Sequence, residues 1–454
     1  MGRVIVIGAG IAGLACAWRL QQAGHDVTVL EREAVPGGRM RSEQRGDFVV
    51  DRGAQFIASA YRNLLGVARE VGLSDSVRPL ARASNAILRD GRLEPGDYDS
   101  PLRFLQSRLV STGTKLRLPR ILWEGWRRRH VLDPMHPERA AALDTEDMPT
   151  YLRRVVGDEA LEYLFAPAFS STFDSDPEDL SGAFALLTLR FVQSGFRLLS
   201  FDGGTGLLTR TLAENVGVRT GCEVTEVRAG ESNVRVRWRP TGARPGGAGH
   251  PQASDSMEGE ETLEADAVVV ALPGSLVSRV CSTLTASERS FFDNVHYVRG
   301  IIVFLMLKQA PATLPYYGVA FPRREGLDLY GMAVDHHKPG VSPPGSGLLN
   351  AALSATAAAH MWNASDDEIV QLVLDNIERT PIGRLAPVDA VVHRWDPMLP
   401  QFRVGYLPHL AAFLSRRERT PRLAFAGDYL IGPYTEAALT SGLRAAEEVG
   451  GVLQ

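Results

Sequence analysis

Residues 3–31 open with Arg3-Val4-Ile5-Val6-Ile7-Gly8-Ala9-Gly10-Ile11-Ala12-Gly13 and end with Val27-Thr28-Val29-Leu30-Glu31. The first five residues are short and mostly β-branched, as a buried parallel strand is. Residues 14–23 have helical spacing and stop at Gly24, and a second apolar run closes on an acid. Strand, glycine turn, helix, strand and acid within ~30 residues form the context that makes Gly-x-Gly-x-x-Gly a dinucleotide-binding fingerprint. Each glycine has its own task. Gly8 makes the tight turn, Gly10 lets the backbone approach a pyrophosphate, and Gly13 lets helix and strand pack closely. The helix start, with Ile11 and Ala12, offers free N–H groups and the positive dipole end to phosphate. Glu31 would accept hydrogen bonds from ribose hydroxyls and disfavour a 2′-phosphate, and Arg32 joins it at that edge of the cofactor.

The continuation, Arg32-Glu33-Ala34-Val35-Pro36-Gly37-Gly38-Arg39-Met40, resembles the Gly-Gly-Arg extension of FAD-binding oxidoreductases of the amine oxidase, protoporphyrinogen oxidase and phytoene desaturase superfamily. The resemblance implies backbone close to the cofactor at Gly37 and Gly38. Arg39 offers a fork of donors to the pyrophosphate. Asp51-Arg52-Gly53-Ala54-Gln55-Phe56 is similar to the superfamily's Asp-x-Gly-Ala segment, which places Gly53, Ala54 and Gln55 beside the isoalloxazine. Three later stretches return to the same domain. The strand at 222–227 implies backbone groups of Val224 on the adenine, and the buried strand at 265–273 brings in Ala271. Leu423-Ala424-Phe425-Ala426-Gly427-Asp428 implies an acid on the ribityl or pyrophosphate region. The helix from Thr435 then aims its N-terminus at the pyrimidine side, where negative charge develops on reduction.

The fold class expected is α/β: a discontinuous Rossmann-type FAD-binding domain (1–84, 203–275 and 416–454) with a mixed α+β substrate domain (85–202, mostly helical, and 276–415). Strand-like runs lie at 300–307, 329–335, 348–354 and 388–395. Residues 239–262, rich in Pro, Gly, Ala, Ser and Glu, read as a hairpin tip or mobile loop.

Within the substrate segments, Asp176-Pro177-Glu178-Asp179-Leu180-Ser181 and the block from Trp395 to Tyr406 resemble protoporphyrinogen oxidases, with Phe402 and Tyr406 replacing that family's Tyr and His. The implied activity is an FAD-dependent oxidoreductase removing hydride from a small, flat or unsaturated apolar substrate, with oxygen or another acceptor taking the electrons. Amine oxidation is the second reading. Many amine oxidases carry a lysine early in the strand resembling 301–307, whereas here Lys308 stands only at its end. A flavin-dependent isomerase without net redox change and a non-enzymatic carrier of prenylated protein, as in the GDP-dissociation inhibitor family, are the remaining alternatives. FAD is expected to be non-covalent, since no cysteine follows Cys281 for C-terminal attachment.

For the catalytic pocket, Gln55, Trp395 and Tyr434 are expected as walls. His336 is the candidate acid–base group from Asp335-His336-His337-Lys338. Adjacent histidines at a strand end point to opposite faces, so no shared metal is expected.

Composition bounds the rest. The chain has 454 residues and a formal net charge of −4, which gives no polyanion-binding signature, so no nucleic-acid partner is expected. Three separated cysteines give neither a disulfide framework nor a metal site and suit a cytoplasmic setting. The only lysines are Lys115, Lys308 and Lys338. Residues 115–130 combine apolar residues, two tryptophans and six Lys/Arg, a pattern suited to peripheral contact with an anionic membrane. In protoporphyrinogen oxidases the helical part of the substrate domain meets the membrane.

Overall fold

The structure, a computed structural model, describes residues 1–96, 101–193, 197–242, 259–312 and 314–453. Its centre is a five-stranded parallel sheet in the order Val218–Arg219, Asp26–Leu30, Arg3–Ile7, Ala267–Val270, Leu423–Phe425. The strand Arg3–Ile7 is buried on both faces. Val4 and Val6 pack with the helices Ile11–Gln22 and Thr435–Val452, whereas Ile5 and Ile7 join a second core with Val224, Val227 and Val236. Each such side chain contributes about 1.5–3 kcal/mol, which is why the run is apolar without alternation.

Two glycines set how closely the helices approach. A Cβ on Gly13 would sit 2.0 Å from the carbonyl oxygen of Gly8, and one on Gly442 would sit 2.1 Å from that of Ala12. Only glycine lets the first helix lie this close to the turn before it and to the last helix.

An antiparallel sheet of Cys222–Ala229, Val234–Pro240 and Glu261–Ala265 lies beside the parallel one. Its last two strands flank the loop expected at 239–262; residues 243–258 of that loop lie outside the described residues.

A seven-stranded sheet carries the other half of the molecule, in the order Pro387–Trp395, Gly300–Leu307, Gly347–Leu353, Leu329–Val334, Gly318–Ala320, Asn85–Arg89, Arg92–Pro95. All pairs are antiparallel except Gly318–Ala320 with Asn85–Arg89. Every residue of Gly300–Leu307 is buried. The strand read at 329–335 stops at Val334, because Asp335–His337 turns into a 3-10 helix that brings the Asp335 carboxylate to Lys338 three residues on, at 2.8 Å. That turn also corrects the reading of the histidine pair. The His336 and His337 rings lie on the same side, tilted by 53° with centroids 4.6 Å apart, instead of pointing to opposite faces. No cluster of three or more potential metal ligands occurs among the described residues.

Between Pro101 and Val192 the chain is helical, and its segment Ala166–Phe173 packs tightly on Leu329–Val334: a Cβ on Gly331 would lie 2.8 Å from the Ser171 Cβ.

Candidate active site

One continuous cavity of about 4030 Å³ runs between the parallel sheet and the seven-stranded sheet. Ordinary ligand pockets are ~300–1,000 Å³, so this one has room for a dinucleotide and a second molecule.

Its first arm passes the glycine turn. Gly8 has φ +99° and Gly37 φ +117°, backbone that glycine adopts without strain. Gly37 N–H donates to the Ala9 carbonyl at 2.8 Å, so the Gly-Gly-Arg loop docks directly on the turn. A Cβ on Gly10 would meet nothing within 4 Å, whereas one on Gly38 would lie 3.4 Å from the Gly10 Cα. The two bare backbones thus form the floor of a narrow groove. The helix Ile11–Gln22 above it has no side-chain cap and no acid in its first turn, which leaves its N–H groups to an anion. Gly8 also packs on Ala271, whose carbonyl a Cβ there would approach to 2.8 Å. These features fit a dinucleotide pyrophosphate.

Glu31 stands at one end of this arm with Arg32 and Val224. Its carboxylate accepts from the N–H groups of Ala9 at 2.7 Å and Glu33 at 2.9 Å, and each oxygen keeps a lone pair for a ribose hydroxyl. Burial raises its pKa, against the pull of those two hydrogen bonds. Arg32 is more exposed and pairs with Glu33.

Midway, Arg39 donates to the Asp428 carboxylate at 2.7 Å and to the Met398 carbonyl at 2.6 Å. Asp428 further accepts from the Tyr297 hydroxyl and the Tyr429 N–H. Arg39 and Asp428, each read separately as a cofactor contact, are therefore one ion pair on the cavity wall, supported by Tyr297. Arg39 uses one of its three nitrogens in it and keeps donors for phosphate. Gly427 is tied to the last helix through the Ser441 hydroxyl, and Thr435 opens that helix without a side-chain cap.

At the other end, Gly53, Ala54, Gln55, Trp395, Tyr434 and Thr435 line the cavity, where the isoalloxazine would be held. Gly53 lies against the Arg39 carbonyl, which a Cβ would approach to 2.4 Å. Trp395 donates its indole N–H to the Arg52 carbonyl at 2.9 Å, with the Arg52 guanidinium 5.3 Å from its ring. Tyr434 stacks on Phe191 at 5.2 Å and donates to the Pro134 carbonyl.

Gln55 lines the cavity at this end, and its amide is engaged by protein partners. Its amide oxygen accepts from Lys338 and Asn350, both at 2.9 Å, while its NH2 donates to the carbonyls of Asp51 and Gly53. These four bonds saturate the amide. Lys338, fully buried, also pairs with Asp51 at 3.0 Å and Asp335 at 2.8 Å. Burial would lower its pKa, and the two carboxylates more than reverse this, so it stays charged. This cluster ties the flavin-end loop to the seven-stranded sheet.

His336 is not brought to the cavity wall. Its Nδ1 lies 3.3 Å from the Leu348 N–H, and burial pushes its pKa down to about 4, with His337 adding to the effect. Its Nδ1 also lies 3.4 Å from the Leu348 carbonyl oxygen, so the ring is occupied by backbone. The residue of that tetrapeptide with a structural role at the site is Lys338, and the signal was present: a lysine in a chain with three of them.

The second arm is an aromatic chamber lined by Phe165, Phe169, Phe173, Phe184, Phe191 and Tyr317. Asp174 also stands on this wall and was not recognised from the sequence. Lys308 is exposed and lies off the cavity, whose wall at Gly300–Leu307 is formed by Ile302.

The sequence profile described as flavin containing amine oxidoreductase matches residues 11–450. The mitochondrial protoporphyrinogen oxidase of Nicotiana tabacum is 24% identical, over 98% of this chain and 94% of that protein. The coproporphyrinogen III oxidase of Bacillus subtilis (strain 168) is 22% identical, over 94% of this chain and 93% of that one. Among solved structures, wild-type putrescine oxidase bound to putrescine superposes with a TM-score of 0.78 at 19% identity, covering 99% of each chain, a likeness of fold. A groove built for a dinucleotide, opening into an aromatic chamber, and a profile spanning nearly the whole chain give one conclusion: the chain belongs to the flavin-containing amine oxidoreductase family and is an FAD-dependent oxidoreductase.

Proposed function

We propose that the enzyme oxidises an unsaturated substrate of the cyclic tetrapyrrole (porphyrinogen) class, whose oxidation product is flat. The observation that carries this reading is the aromatic chamber continuous with the flavin end of the groove, lined by Phe165, Phe169, Phe173 and Phe184, the last three packed on one another as tilted and edge-to-face rings. The names of the two relatives above point the same way. FAD, when bound, supplies the hydride acceptor. The chain orients the substrate, excludes water and holds the loop Gly53–Phe56 rigid from below through Lys338. Gly8, Gly10, Gly38, Arg39, Glu31 and Asp428 would hold the cofactor, and Trp395 and Tyr434 would wall the reacting end. An oxidase of amines with a lysine on the strand Gly300–Leu307 is disfavoured, since Lys308 is outside the cavity. Incubation with protoporphyrinogen and coproporphyrinogen, followed by porphyrin fluorescence against a no-enzyme control, tests the reading. Enzyme-dependent appearance of porphyrin is expected; turnover confined to a parallel panel of amines, amino acids and polyenes would refute it.

The segment 115–130 forms the end of the helix Thr112–Arg117 and the helix Pro119–Arg127. Leu116, Leu122, Trp123 and Trp126 are exposed, with Arg117, Arg120, Arg127 and Arg129 exposed around them. Lys115 does not belong to this face: it is buried, donating to the Leu105 and Ser107 carbonyls. Apolar side chains ringed by arginine suit the surface of an anionic membrane, and this is the contact proposed for the segment. No helix among the described residues is long and apolar enough to cross a membrane.

A further inference from the structure

We propose that Arg41, Arg45 and His393 form a binding site for an oxyanion, a carboxylate or phosphate group, on the cavity wall beyond Trp395. All three line the cavity. The arginines belong to the hairpin of Ser42–Arg45 with Phe48–Asp51, and His393 to the edge strand Pro387–Trp395 of the seven-stranded sheet. Hairpin and edge strand meet in one apolar cluster that includes Phe48, Val50, Phe304, Val391 and Trp395. Arg41 and Arg45 are an even number of residues apart, so they leave their strand on one face. His393 precedes Trp395 by two residues and shares its face, roughly 7 Å along the strand.

Unspent donors mark the site. His393 is only 7% exposed, its ring stands edge-on to Phe304 at 5.6 Å, and its Nε2 is buried with no hydrogen-bond partner. The Arg45 Nε is buried and unpartnered as well, and Arg45 makes no ion pair among the described residues. Buried polar groups without partners are costly, and each one in a native fold calls for a reason. The acids nearby are committed to other cations. Glu43 pairs with Arg52 at 3.8 Å, Asp51 with Lys338 at 3.0 Å, Asp366 with Arg394 at 2.7 Å and Asp396 with Arg299 at 2.6 Å. Asp47, at the hairpin tip, is exposed and off the cavity wall. Arg41 gives one nitrogen to the Val35 carbonyl at 3.2 Å and keeps the others. Burial, with the charges of Arg41 and Arg45, pushes the His393 pKa down to about 4, so near neutrality the ring is uncharged with one N–H to give. Two guanidiniums supply the charge and the imidazole a third donor, a set that matches the oxygens of one oxyanion. A carboxylate arm of the substrate and a separate small anion such as phosphate share this chemistry.

The test uses purified holoenzyme, wild type, Arg45→Gln and His393→Phe. Thermal unfolding is followed in inorganic phosphate against sodium chloride of equal ionic strength, which cancels general screening. Phosphate is expected to stabilise wild type saturably, with an apparent affinity about tenfold lower in Arg45→Gln at unchanged FAD content. In chloride the variants should melt no lower than wild type, since neither side chain has a partner to lose. His393→Phe keeps the ring against Phe304 and reads the same loss should Arg45→Gln not fold. Deuteroporphyrin, with two propionates, and its dimethyl ester, with none, then identify the source of the oxyanion by porphyrin absorbance. A preference of wild type for the free acid that Arg45→Gln loses and phosphate competes away assigns the site to a carboxylate of the substrate. Phosphate binding that neither porphyrin disturbs assigns it to a separate small anion. A phosphate effect that is absent or equal in all three proteins, with porphyrin binding that the variants do not change, would overturn the inference and leave the tetrapyrrole reading intact. Failure of both porphyrins to bind, with the phosphate effect present and lost in Arg45→Gln, would support the anion site and count against the tetrapyrrole reading alone.

Discussion

Glu31 shows how much work one carboxylate does at this site. It pins the glycine turn through Ala9 and the following loop through Glu33, while its remaining lone pairs face the cavity. Glu31→Ala removes charge-assisted hydrogen bonds worth roughly 1.5–3 kcal/mol, so FAD affinity should fall about tenfold to hundredfold. Wild-type FAD occupancy after dilution and desalting would count against this role. Asp174 gives a pH dependence whose sign is fixed by its environment. Its folded-state pKa, about 7, lies above that of an exposed carboxylate because burial disfavours the charge. The native state therefore binds the proton more firmly than the unfolded chain. The stability due to this group is complete below the ordinary carboxylate range and is lost as pH rises through about 7. Asp174→Asn should match wild type in thermal unfolding in the acid range and melt higher at about pH 8, with Tyr330 and Asp176 unchanged. A difference between the two that does not vary with pH would refute it.

The elements that could be foreseen are those with a strong local period. The strand Arg3–Ile7, its glycine turn and the helix after it were legible because every residue obeys one local rule, and Gly300–Leu307 because eight apolar residues in a row have no other place to go. The turn Asp335–His337 was not, since nothing local ends a strand there; the turn exists because Lys338 must reach Asp51 on a distant segment. Likewise the amide of Gln55 could be placed near the flavin by motif, but its direction depends on Lys338 and Asn350, nearly three hundred residues on. The helix Pro119–Arg127 is legible from its apolar and basic spacing, and its exposed pair Trp123 and Trp126, stacked at 5.0 Å, is the part that can be tested for membrane contact. Trp123→Glu with Trp126→Glu should abolish co-sedimentation with phosphatidylglycerol vesicles and leave FAD content unchanged. Equal co-sedimentation of variant and wild type would remove membrane contact through this helix.

Across the whole molecule, the two halves that enclose the cavity are joined by buried polar ties as well as by packing. Lys338 and Asp335 belong to the seven-stranded side, Asp51 and Gln55 to the segment that follows the Gly-Gly-Arg loop, and Thr205 adds its N–H to Asp51 at 2.8 Å. Lys338→Met leaves two carboxylates buried without a cation, so a loss of roughly 3–5 kcal/mol in unfolding free energy is expected by denaturant titration. An unchanged midpoint would show the cluster to be dispensable. The same enclosure makes the central claim accessible to one experiment, because the aromatic chamber and the FAD groove are one cavity. That experiment is anaerobic addition of protoporphyrinogen to the purified yellow protein, with the flavin absorbance band followed in time. Bleaching of the band in step with porphyrin formation, and release of free FAD when the protein is then denatured, is the result expected. A protein that carries no flavin, or a flavin band that protoporphyrinogen leaves untouched while an amine bleaches it, would contradict the account.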